Sequence, residues 1–177
     1  MEEPLVKIHY WLYPVSWIYG IGAYLRNKLF DWGYYQSKSF DVPVVCVGNL
    51  AVGGTGKTPH TEYLIKLLQQ TGTNVAMLSR GYKRKSKGYV LATEETDVKR
   101  IGDEPYQIKT KFPDIRVAVD ENRCHGIEQL MKLDNPKVDV VLLDDAYQHR
   151  HVKAGLNILL TDFLRRYPTS GRTITRT

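Results

Sequence analysis

Short apolar runs alternate along this chain with longer stretches in which apolar residues recur three and four positions apart. The runs have strand length. They are Asp41–Gly48 with Pro43 near its start, Val75–Ser79, Ile115–Asp120, Val140–Leu143 and Asn157–Asp162. Between them the spacing is helical. Tyr63, Leu64, Leu67 and Leu68 form a stripe that stops at Thr71-Gly72, and stretches from about 103 to 111 and from about 122 to 133 are helical as well. Strands that alternate with helices predict an α/β fold, a parallel sheet with helices on both faces.

A further helix is expected before the first strand, opening near Pro14, with Val15, Ile18, Tyr19, Gly22, Leu25 and Leu29 along one side. No charged residue occurs from Ile8 to Leu25, yet Pro14, Gly20, Gly22, His9 and the tyrosines dilute this stretch too far for a membrane span. Glu2 and Glu3 stand where a secretory signal would be basic. Trp11, Trp17, Trp32 and the tyrosines suit a membrane–water boundary, and Arg26, Lys28 and Lys38 suit anionic headgroups. The same helix packed on its own domain is the competing expectation. Three segments follow: an aromatic helical segment at 1–40, a core at 41–164, and a basic tail at 165–177.

The junction between the first strand and its helix carries chemistry. Ala51-Val-Gly-Gly-Thr-Gly-Lys-Thr58 is glycine-rich, and it sits in the strand–loop–helix setting of a phosphate-binding P-loop. Glycines let successive backbone N–H groups curl around phosphate oxygens, and the helix N-terminus adds its positive end. Lys57 reaches toward the β- and γ-phosphates, and Thr58 offers a hydroxyl to Mg²⁺. Ala51 stands where the strict pattern has glycine. Asp144 and Asp145 end the most apolar strand, at the carboxyl edge where open α/β sheets bind ligands. By spacing alone Asp144 can equally cap the next turn, and Asp103 the helix that Pro105 opens.

Composition narrows the partners. The net charge of +6 favours an anionic one. Much of it lies in one loop, at Arg80, Lys83, Arg84, Lys85 and Lys87, for which a solvated loop is the competing expectation. Two cysteines without C-x-x-C spacing exclude a disulfide framework and a zinc or redox motif. No RNP, helix-turn-helix or zinc pattern accompanies the basic loop, so no nucleic-acid partner is expected.

Taken together, four stretches in this order resemble the tetraacyldisaccharide 4'-kinase family of lipid A biosynthesis. They are Val47–Pro59, Ser79-Arg-Gly-Tyr82, Gly102-Asp-Glu-Pro105 and Asp144-Asp-Ala-Tyr-Gln-His149. The likeness spans about residues 10–162, and a P-loop without its first glycine is itself typical of the family. The resemblance implies a P-loop NTPase-like kinase. It uses ATP and Mg²⁺ to phosphorylate the 4'-hydroxyl of an acylated glucosamine disaccharide 1-phosphate, peripherally, at the cytoplasmic face of the inner membrane. It implies that Ala51, Val52, Gly53, Gly54, Thr55, Gly56, Lys57 and Thr58 hold ATP, and that Thr58, Asp144 and Asp145 hold the metal. Catalytic roles fall on Asp103 as base with Glu104 beside it, on Lys57 and on His149, and the resemblance gives Arg80 and the basic loop after it the substrate's phosphate or the lipid headgroup layer to hold.

Family members are longer, with a second domain that completes the site, so a chain lacking that domain is expected, with its own turnover open. A membrane-associated P-loop ATPase and a non-catalytic nucleotide-binding adaptor are the competing functions.

Overall fold

A computed structural model describes residues 13–49, 56–144 and 150–161. The chain divides into two compact units, Met1–Ser37 and Lys38–Thr177.

The first unit is built on α1 (Tyr13–Asp31), whose 19 residues rise about 28 Å. Pro14 lies in its first turn, where the missing N–H costs nothing. Gly33, at φ +76°, donates to the Phe30 carbonyl at 3.1 Å and closes the C-terminus. Val15, Ile18, Tyr19 and Leu25 of the expected stripe are exposed, as is Trp17 beside it, whereas Leu29 is half-buried. No helix among the described residues is long and apolar enough to cross a membrane.

The second unit holds a six-stranded sheet in the order β3-β4-β2-β5-β1-β6. Its strands are β1 (Val44–Asn49), β2 (Val75–Ser79), β3 (Val90–Leu91), β4 (Arg116–Val119), β5 (Val140–Asp144) and β6 (Leu156–Leu160). All pairs are parallel except β3 with β4. The helices are α2 (Lys57–Gln70), α3 (Val98–Ile101), α4 (Asp103–Lys111) and α5 (Arg123–Met131). The expected alternation thus holds for the long elements. The two-residue β3 and the single turn of α3 are additions, too short for either periodicity to reveal.

Side chains alternate across a strand, and the core divides accordingly. Ala76, Leu78, Val141 and Leu143 pack with Ile127 and Leu130 of α5 on one face. Val75, Met77, Val140 and Leu142 pack with Ile65 of α2 and Ile108 of α4 on the other. Helices therefore cover both faces. Gly126 of α5 rides directly on the sheet, since a Cβ there would lie 2.7 Å from a Leu78 methyl.

Candidate active site

The site gathers at the carboxyl edge of the parallel strands. β1 and β5 pair with Val47 opposite Asp144, which sets Asp144 next to the strand that leads into the glycine-rich loop. Asp144 is the last residue of β5 and only 5% exposed. It shares strand parity with Val140 and Leu142, so it belongs to the face covered by α2 and α4. The adjacent Asp145 and the catalytic expectation at His149 lie outside the described residues.

Of the predicted loop, Ala51, Val52, Gly53, Gly54 and Thr55 also lie outside the described residues. Its last members are described. Gly56 stands at the N-cap of α2 with φ 74° and ψ 25°, a left-handed conformation that glycine adopts without Cβ strain. Lys57 and Thr58 open α2, and Pro59 follows where its missing N–H breaks no intrahelical bond. Among the described residues no side chain caps this helix or α4, whereas Asp97 caps α3 and Asn122 caps α5.

Helix α4 brings in the proposed base. Gly102, not Asp103, is its N-cap, and Asp103 and Glu104 are exposed acids in its first turn. The capping alternative for Asp103 therefore gives way to a carboxylate at the helix opening. Two contacts dock α4 on α2: Gln107 Nε2 donates to Glu62 at 3.3 Å, and Lys111 Nζ meets Glu62 at 2.5 Å. Glu62 is five residues past Lys57, and Gln107 is four past Asp103. α2 leaves the carboxyl end of β1 and α4 runs back into β4, and both pack on one face of the sheet through Ile65 and Ile108. Lys57, Thr58, Asp103 and Asp144 thus share one edge and one face of the sheet.

The loop after β2 closes against the start of α4. Gly81 and Gly102 touch backbone to backbone: a Cβ on Gly102, at φ +93°, would sit 2.9 Å from the Tyr82 carbonyl. Ser86 Oγ donates to the Arg100 carbonyl at 2.5 Å, and the Lys85 N–H to that of Lys99 at 2.8 Å.

Within this loop the basic residues divide. Arg84 is not a headgroup ligand as expected. Its side chain is 3% exposed, pairs with Glu121 at 2.7 Å, and donates to Ser86 Oγ and the Gly88 carbonyl. Arg80, Tyr82, Lys83, Lys85 and Lys87 remain exposed. Partial burial pushes the Glu121 carboxyl up, but hydrogen bonds from its own and Gly88's backbone N–H, with the Arg84 charge, outweigh this and hold it below the usual carboxylate range. Lys38, expected at headgroups, pairs instead with Glu128 at 2.5 Å. No spacing rule links Arg84 to Glu121, or Glu62 to Lys111, because each pair joins separate elements.

A family model described as LpxK, tetraacyldisaccharide-1-P 4'-kinase, matches residues 8–172. The chain belongs to this family. Among curated tetraacyldisaccharide 4'-kinases, that of Bacteroides fragilis is 71% identical over 165 residues, covering 93% of this chain and 44% of the relative. That of Parabacteroides distasonis is 56% identical over 168 residues, with 94% and 45% covered. A crystal structure of LpxK from Aquifex aeolicus in complex with ATP superposes with a TM-score of 0.74 at 42% identity, over 84% of this chain and 47% of that one. The chain thus spans less than half the length of the family members it matches. The P-loop NTPase-like α/β fold expected from the sequence is shared with that ATP complex.

Proposed function

We propose that this chain carries the ATP-binding and acceptor-activating part of a kinase that phosphorylates the 4'-hydroxyl of tetraacyldisaccharide 1-phosphate in lipid A biosynthesis. One observation carries the reading. α2 and α4 both open on the face to which Asp144 belongs, which supports a phosphate-binding residue pair, a metal-binding carboxylate and a candidate base acting together.

The residues fit ATP with Mg²⁺. A left-handed glycine and an uncapped helix start suit a triphosphate, and Mg²⁺ on a nucleotide needs only one or two protein carboxylates because phosphates and water fill its other positions. Gly56 and the backbone of Ala51–Thr55 cradle the phosphates, and Lys57 offsets their charge. Thr58, Asp144 and Asp145 would hold the metal, which would supply neutralisation of the charge on the transferred group. Asp103 takes the proton of the acceptor hydroxyl and orients it, with Glu104 keeping the helix opening acidic. His149 follows the acidic pair Asp144-Asp145 in the sequence and is proposed to act with it. The exposed Trp17, Ile18 and Tyr19, followed by Arg26 and Lys28, support peripheral contact with the cytoplasmic face of the inner membrane.

Calorimetry with Mg·ATP tests the nucleotide reading. Lys57→Ala is expected to weaken binding about 10- to 100-fold, as loss of a charge-assisted contact does. Absence of binding by the folded wild-type chain overturns the reading. Phosphate transfer measured with and without the acylated disaccharide monophosphate tests the acceptor: hydrolysis indifferent to the acceptor favours an ATPase, and binding without turnover favours an adaptor.

A further inference from the structure

We propose that His60 is a positioning residue for the phosphate-binding loop, fixing the direction of the Lys57 backbone N–H through the Gly56 carbonyl. The inference rests on the nucleotide-binding reading above and adds a residue that no motif contains.

His60 lies one turn into α2, exposed, with no part in the hydrophobic core. Its ring Nδ1 is 2.8 Å from the Gly56 carbonyl oxygen. That oxygen also accepts the ordinary helical bond from the His60 backbone N–H, at a longer 3.3 Å. A carbonyl only accepts, so Nδ1 carries the proton in this contact. The ring also lies against the glycine itself, since a Cβ on Gly56 would sit 3.7 Å from Nδ1 and 3.8 Å from Cε1.

The consequence follows from the planarity of the peptide. The Gly56 carbonyl and the Lys57 N–H belong to one rigid unit and point in opposite directions across it. Gly56, at φ 74° and ψ 25°, lacks the Cβ that would otherwise restrict rotation of this unit. Two donors on the carbonyl supply that restriction from one side, which aims the N–H from the other. Donation to the carbonyl also polarises the amide and strengthens its N–H as a donor. The Lys57 side chain departs from the same unit, so its stem is aimed with it.

The test uses the chain as it stands, in wild-type, His60→Ala and His60→Asn forms. Asparagine retains an N–H donor at the same bond count from Cβ, whereas alanine removes it and is the better helix former. The expected result is Mg·ATP binding about 3- to 10-fold weaker in H60A, in keeping with one lost hydrogen bond, with a melting temperature unchanged or raised. H60N is expected within about twofold of wild type. In the nucleotide-free protein the Lys57 amide proton resonance moves upfield in H60A and stays in place in H60N. Affinity of H60A equal to wild type, or H60N as weak as H60A, overturns the inference and leaves the P-loop reading standing. A folded wild-type chain that takes up no Mg·ATP overturns both.

Discussion

A single carboxylate shows how much one residue's placement decides. Asp144 ends a fully buried strand, so its charge is tolerable only with compensating partners or a metal. Asp144→Asn keeps the shape and removes the charge. It is expected to lower ATP affinity in Mg²⁺ by about tenfold while leaving the Mg²⁺-free affinity nearly unchanged, a difference calorimetry in EDTA reads directly. Gly102 acts by having no side chain. Gly102→Ala meets both a positive φ and the Tyr82 carbonyl, so a loss of about 2 kcal/mol or more is expected in denaturant unfolding. The motif Gly-Asp-Glu-Pro was visible in the sequence. That its glycine is the contact between two loops was not, because the partner lies twenty residues away.

At the scale of elements, the apolar runs and the 3.6-residue spacing located every long strand and helix among the described residues. They failed where an element was barely one period long, as at β3 and α3. The fit between elements is steric as well as apolar. Gly126→Ala leaves the α5 backbone unstrained yet drives a methyl into Leu78, and about 1–3 kcal/mol of destabilisation is expected by thermal melting. The clasp joining the basic loop to the end of β4 depends on pH. Glu121 titrates lower when folded, so its contribution is full above the ordinary carboxylate range and is lost as pH falls through the depressed value. Amide exchange at Gly88, which donates to Glu121 at 2.9 Å, is expected to accelerate in that acidic window beyond the intrinsic trend, and Glu121→Gln should abolish the extra step.

For the whole molecule, the exposed aromatic helix and the nucleotide site make separable predictions. Replacing Trp17, Ile18 and Tyr19 together with serine is expected to reduce sedimentation with anionic vesicles several-fold, since apolar burial at the interface scales with area. Mg·ATP affinity is expected to stay within twofold of wild type. Vesicle binding that survives the triple substitution removes the membrane role assigned to this segment.

The amino-acid sequence by itself determined the kinds of element, their order, the glycine-rich loop and the family. Each depends on local spacing and on residue types adjacent in the chain. Tertiary structure alone decided which charges are free to act. It turned Arg84 from a candidate ligand into an internal clasp, tied α4 to α2 through Glu62, and gave Asp144 its face through strand parity. The physical reason is that a side chain's partner across two elements is fixed by packing and register, and neither is written in the spacing of either element alone.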